Sequence, residues 1–306
     1  IELIKAKEQK LANGIPLYVI QAGNQELVRI DVIFDAGEWY QDIPMLSNAT
    51  ISMLCEGSIF HTAEEIAEKL DFYGSYIYYN SYKHQSSITI YSLNKYLDET
   101  IQLIEEIIKS PRFPDKEFDT FNNKRRQQFI IDDQKVEVIA QKQFSRSLFG
   151  EKHPYGMVPD ISDFERLNSS KIRSFHNTYF SSKTCKILIA GKVSESHITL
   201  LERHFGSEAW GGTTQVLTPL FSILSNGTSK ISIPKKDSVQ CAMRIGNITI
   251  NKLHADFHKL SVVNMILGGY FGSRLMSNIR EDKGYTYGIG SGLVSVSYTH
   301  LRAHET

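Results

Sequence analysis

The sequence predicts an α+β protein built from two homologous domains, and two observations carry that expectation. Val28, Ile30, Val32 and Phe34 alternate along 26–36, and Val239, Cys241, Met243 and Ile245 alternate again 211 residues later. The same offset carries Gly57 onto Gly268, while Gly74 falls within one residue of the position that maps to Gly284. An order of strand, helix, glycine, helix, glycine, strand therefore occurs twice, which signals internal duplication. The first copy occupies residues 1–205 and a linker 206–228. The second copy occupies only 229–294 and is expected to be truncated; the last stretch, 295–306 (SVSYTHLRAHET), loses the pattern and is expected to be non-native.

Each element follows from local chemistry. Residues 9–20, QKLANGIPLYVI, read as a hairpin whose Asn13-Gly14 pair suits a type I′ turn, where both central residues need positive φ. The alternation over 26–36 marks a strand with one buried face. A helix is expected over 45–56, burying Leu46, Ala49, Met53 and Leu54 and stopping at Gly57. Thr62 and Glu65 form a capping box for a second helix, with Ile66, Leu70 and Tyr73 inward and Gly74 closing it. Strands over 76–80 and 86–93 precede an amphipathic helix marked by Leu97, Ile101, Ile104 and Ile108, which stops before Pro111. A long polar helix is expected over 115–148, then a turn at His153–Gly156. A helix over 169–179 turns Ile172, Phe175 and Tyr179 inward, and 184–193 reads as a central strand. A further helix ends near His204. Residues 206–228 are rich in Gly, Thr and Ser without periodicity, as a linker would be.

Composition removes some function classes. Lys plus Arg and Asp plus Glu are both 34, so no net charge favours nucleic acid or an anionic membrane as partner. Cys55, Cys185 and Cys241 are far apart and form no CxxC pair, which suggests neither a disulfide framework nor a thiolate zinc site. No apolar run approaches the roughly 18 residues of a spanning helix. A cytoplasmic location is expected, or a periplasmic one if a leader precedes Ile1.

Two stretches carry the chemistry: residues 45–58, MLSNATISMLCEGS, and residues 266–292, ILGGYFGSRLMSNIREDKGYTYGIGSG. The first copy resembles the N-terminal half of the insulinase/pitrilysin zinc peptidases, closest to the mitochondrial processing peptidases and their bacterial relatives. The resemblance implies a fold of two domains, each an antiparallel-rich mixed sheet with helices packed on one face. Catalytic members carry His-x-x-Glu-His on a helix, where two histidines four apart hold zinc and the Glu polarises its water; a Glu on a later helix is the third ligand. Counting back from Gly57-Ser58, Asn48 and Ser52 stand at the histidine positions and Ile51 at the base position. The later ligand falls near Gln128. Those residue types are poor zinc ligands, and Ile cannot move a proton. The resemblance thus implies no metal and no cofactor in this chain.

The second stretch resembles the segment L-G-G-x-x-x-S-R-L followed by R-E-x-x-G-x-x-Y in the C-terminal half of the same family. Arg280 and Tyr287 fall on its Arg and Tyr positions, with Tyr285 as a nearby alternative. In two-subunit members this pair is thought to hold the substrate backbone and stabilise the tetrahedral oxyanion, as donors aimed at developing negative charge. The expected function is a non-catalytic subunit of a heterodimeric zinc metallopeptidase acting on small or unfolded peptides. The partner would be a homologous subunit carrying the zinc. The alternatives are a structural or assembly scaffold and, third, a self-sufficient peptidase with unrecognised ligands.

Other features read as structural. His254 and His258 are four apart but lack a third ligand; His300 and His304 share that spacing in the suspect tail. Gly268–Gly272, GGYFG, lacks the Lys-Ser/Thr of a phosphate loop and suits close helix packing. His84 and His153 are lone histidines, and the three cysteines suit small core positions.

Overall fold

The computed structural model describes residues 4–212 and 230–295, and the backbone of 301–303. The chain forms two compact units, residues 1–126 with 159–220 and residues 127–158 with 221–306. The grouping thus interrupts chain order.

The first unit is a six-stranded mixed sheet with helices. Its elements are β1 (Lys7–Lys10), β2 (Pro16–Gln21), β3 (Leu27–Phe34), α1 (Leu46–Ser52), α2 (Ala63–Tyr73), β4 (Tyr76–Ser81), β5 (Ser86–Leu93), α3 (Leu97–Lys109) and, up to Arg126, α4 (Asp115–Asp132). After α5 (Val136–Phe149), which belongs to the other unit, come α6 (Asp163–Arg166), α7 (Ser169–Tyr179), β6 (Cys185–Gly191) and α8 (Glu195–Leu201). The strand order is β1-β2-β6-β3-β5-β4. Only β2 and β6 run parallel; Leu17 pairs with Ile187 and Val19 with Ile189. On the other side β6 pairs antiparallel with β3, Val32 opposite Ile187. Residues contributed late in the chain therefore close the middle of the sheet.

Alternation decides which face is buried. Leu17, Val28, Ile30, Val32, Phe34, Ile88, Ile90, Ile187 and Ile189 all point into the core with the apolar sides of α1, α3 and α7. Tyr18, Ile20, Arg29, Ile33, Tyr78, Tyr91 and Leu188 occupy the opposite face and remain partly or fully exposed. Asp31 is the buried charge there; Arg29 and the Thr89 hydroxyl both donate to Oδ1, at 2.9 and 2.6 Å, so it is not left unpaired. Gly191 ends β6 with φ 131°, and a Cβ there would stand 2.4 Å from the Leu27 carbonyl, so only glycine lets β6 leave the sheet at this point.

Most local expectations hold. The capping box joins Thr62 and Glu65, and Gly74 is left-handed at φ 63°. Leu97, Ile101, Ile104 and Ile108 are the buried stripe of α3. The differences have physical causes. At the first hairpin Gly14 has φ 93°, but Asn13 is not in the left-handed region, so the turn is not type I′. Leu11 N–H donates to Ile15 C=O at 2.9 Å, and the Asn13 amide instead donates to the Phe205 and Glu208 carbonyls at 2.7 and 2.8 Å. The residue expected to serve the turn thus anchors a segment far along the chain. Helix α1 ends at Ser52, because Met53 and Leu54 are fully buried in a turn that leads to Gly57. The long polar helix divides into α4 and α5 at Asp133–Lys135, a stretch with no apolar side to bury. Residues expected to open the linker are packed: the Trp210 indole donates to Phe205 C=O at 3.0 Å and its ring lies 6.0 Å from Phe34. Residues 213–229, the rest of the expected linker, lie outside the described residues.

The second unit contains α5, β7 (Ile248–Thr249), α9 (Phe257–Asn264), β8 (Leu293–Ser295) and β9 (Leu301–Ala303). Its three strands pair in the order β7-β9-β8. At the start of the unit, Phe149, His153 and Tyr155 form a buried ring cluster with centroids 5.1–5.3 Å apart. The expected strand over Val239–Ile245 is not formed; Val239 is 98% exposed. No described strand lies beside it, and alternation without a neighbour has neither ladder nor face to bury. Within the tail expected to be non-native, residues 296–300 and 304–306 lie outside the described residues, while β9 pairs with both β7 and β8. Among the described residues no helix is long and apolar enough to cross a membrane.

His176 on α7 links this packing to pH. Its Nε2 lies 2.8 Å from the Ile108 carbonyl and its ring stacks on Phe180 at 5.1 Å. Burial pushes its pKa below the ordinary 6.5, because the charged ring would lose its hydration. The unfolded chain then takes up a proton at higher pH than the folded chain does. Stability is therefore full above pH 6.5 and falls as pH drops through the window below it. Urea unfolding at pH 7.5 and pH 5 should show a lower midpoint in acid, and His176→Phe should flatten that difference. An unchanged slope in the variant would assign the effect to other groups.

Candidate functional site

The second glycine-rich stretch is shaped by one close approach. Helix α9 runs into a π-helical turn, Met265–Gly269. There the Gly268 carbonyl accepts from Ser291 N–H at 3.0 Å, while Ser291 Oγ donates to Asn264 C=O at 3.2 Å. A Cβ on Gly268 would stand 2.5 Å from Ser291 N, so the helix can touch the 290–291 backbone only where no side chain intervenes. This is the close packing expected of GGYFG. A second π-helical segment, Met276–Asp282, presents Arg280, and Gly284 reverses the chain with φ 63° before the extended 285–292 run.

Arg280 is half-buried, and its guanidinium carbon lies 5.0 Å from the centre of the Phe271 ring, a cation–π contact that orients it. Tyr287 is 95% exposed and Tyr285 is exposed as well. Among the described residues no hydrogen bond joins Arg280 to either tyrosine. Tyr287 therefore faces outward, and neither Arg280 nor Tyr287 has a side-chain hydrogen bond among the described residues.

The positions of the first stretch carry different chemistry. Ile51 is 0% exposed and belongs to the core. Asn48 and Ser52 are half-buried on α1, and Asn48 Oδ1 accepts from Arg125 Nη2 on α4 at 3.2 Å. Gln128 is exposed and its amide donates to Asp132 at 2.9 Å, one turn on. Among the described residues no group of three His, Cys, Asp or Glu side chains is placed to hold a metal ion.

A cleft of about 440 Å³ that the sequence did not point to lies nearby in the first unit, lined by Glu56, His61, Thr62, Glu64, Arg112 and Glu117 among others. Burial, and then the Glu117 carboxylate, raise the Glu56 pKa. His61 Nδ1 is held by Glu106 at 2.8 Å, and Ser58 Oγ donates to the same carboxylate. These residues come from loop ends and helix starts with no shared spacing, so no motif could reveal them.

The remaining candidates are structural. His254 precedes α9 and His258 lies on it, so the two do not share a helical face; His254 Nδ1 accepts from Asp256 N–H at 3.1 Å. His84 stacks near Trp39 at 4.8 Å, and His153 is buried against Phe149. Burial pushes the Cys55 thiol up to about 11 and the Cys185 thiol higher still. His300 and His304 lie outside the described residues.

A family model described as the peptidase M16 inactive domain matches residues 166–302, which include the whole Gly268–Tyr287 stretch. Over this stretch the chain is similar to the insulinase/pitrilysin-family peptidases. An uncharacterized zinc protease of Bacillus subtilis is 25% identical over 293 residues, 93% of this chain and 69% of that protein. One from Mycobacterium leprae is 23% identical over 79% of this chain; the match spans only 55% of its own length. Among solved structures, a peptidase M16 inactive domain from Pseudomonas fluorescens superposes with a TM-score of 0.83 at 22% identity, covering 98% of this chain and 74% of that one. A Helicobacter pylori protease gives 0.84 at 17% identity, covering 100% and 76%. These two likenesses carry the α+β fold.

The family segment thus depends locally on Gly268. Gly268→Ala should destabilise by about 1–3 kcal/mol, the usual range for overpacking. Gly288→Ala, where a Cβ meets nothing within 4 Å, should be near neutral. Thermal unfolding of both variants checks the contrast; equal melting temperatures would contradict the close-approach account.

Proposed function

We infer that this chain is the non-catalytic subunit of a two-chain peptidase. On this reading it is built of two homologous domains. The observation that carries the proposal is the outward presentation of Arg280, set against Phe271, and of Tyr287, on a segment matched to the peptidase inactive domain. On this reading water activation belongs to a homologous partner bearing the zinc, since the α1 positions hold Asn48, Ile51 and Ser52, which are poor zinc ligands. Arg280 and the Tyr287 hydroxyl then act as donors in trans. They hold a peptide carbonyl in the ground state and bond more strongly as its oxygen gains charge. Separately, within the first unit, β4 is suited to pairing with an extended peptide. That strand closes one side of the sheet, and beyond β5 it has no described partner, so its outer backbone groups are open to an added strand. Main-chain pairing gives affinity with little demand on sequence, as small or unfolded peptides require.

Reconstitution tests the proposal. The complete chain alone should not hydrolyse an unfolded peptide, and mixing it with the zinc-bearing homologue should produce activity. Arg280→Ala with Tyr287→Ala should lower kcat of the pair by about a hundredfold or more, the scale of losing oxyanion donors. An unaltered rate would remove the pair from the mechanism. A stable complex without hydrolysis would favour the scaffold instead.

A further inference from the structure

The relatives named zinc proteases raise the question of what replaces a metal at α1. Zinc takes thiolate, imidazole or carboxylate donors. At the motif positions this chain offers an amide, a hydroxyl and a fully buried isoleucine. The donor set does not fit zinc. The structure adds a second fact of a different kind. The amide oxygen of Asn48 is already engaged by the guanidinium of Arg125, 77 residues away, at 3.2 Å. That guanidinium also lies 5.5 Å from the Phe121 ring, one turn earlier on α4.

We propose that Arg125 is a resident cation that takes the place of a metal at α1. It satisfies Asn48, ties α4 to α1, and sets a fixed positive charge where a divalent ion would have to bind. A guanidinium suits this role better than an ammonium because its planar fork can hold Asn48 while its carbon lies near the Phe121 ring. The inference rests on the α1–α4 contact and not on Arg280 or Tyr287, so either reading can fail alone.

Zinc binding by the isolated full chain tests it, with zinc chloride competed against a chromogenic chelator. Wild type and Arg125→Ala should both take up no stoichiometric zinc. Asn48→His with Ser52→His creates two imidazoles one turn apart and should bind weakly. Adding Arg125→Ala to that pair should tighten binding roughly tenfold, because a positive charge a few ångströms from a dication has been removed. One equivalent of zinc on wild type would overturn the proposal. So would equal affinity of the histidine pair with and without Arg125, or no zinc uptake by the triple variant. If the histidine variants do not fold, thermal unfolding of Asn48→Ala, Arg125→Ala and their double decides the matter. Overlapping losses support the tie, and additive losses overturn it.

Discussion

The insertion of β6 between β2 and β3 is the pairing on which the first unit depends. It joins residues 17–21 to 187–191 in parallel and 28–34 to 185–191 antiparallel. Without it the sheet would be two separate ribbons, β1-β2, too small to be stable alone, and β3-β5-β4. With it, the apolar sides of five strands become one surface, and α1, α3 and α7 have something to cover. Everything placed by those helices, including Asn48 and Ser52 on α1, follows from a strand that begins about 150 residues after β3 ends and about 165 after β2 ends.

Local rules made much of this legible. Period-two alternation identified β3, the capping box identified the start of α2, and the Ile stripe identified α3, because each depends on residues within a few positions of one another. What stayed hidden depends on distance along the chain. Asn13 reads as a turn residue, yet its amide is used to bind Phe205 and Glu208 carbonyls. Val239–Ile245 repeats the β3 pattern but has no neighbouring strand among the described residues, so alternation states a capacity to pair and not the pairing itself. At the motif, counting from Gly57 gave the identities at 48, 51 and 52. The role of Arg125 could not be counted, since α4 meets α1 only in the folded chain.

The two candidate regions differ in how their polar groups are used. At α1 the amide oxygen of Asn48 is engaged inside the unit by Arg125. At 280–287 the Arg280 guanidinium lies against the Phe271 ring, Tyr287 is exposed, and neither makes a side-chain hydrogen bond among the described residues. A group already satisfied within a fold is a structural element; a pre-set donor left in water is available for binding. The contrast supports reading the second stretch as the working surface of the chain.

The three thiols divide by the same logic, with a practical consequence. At neutral pH, a thiol with a pKa of about 11 is ionised in roughly one molecule in ten thousand, and Cys185 even less. Cys241 alone is exposed. Thiol-directed reagents applied to the folded chain will therefore mark the second unit and leave the first untouched, so a single natural cysteine serves as an address for one of the two units.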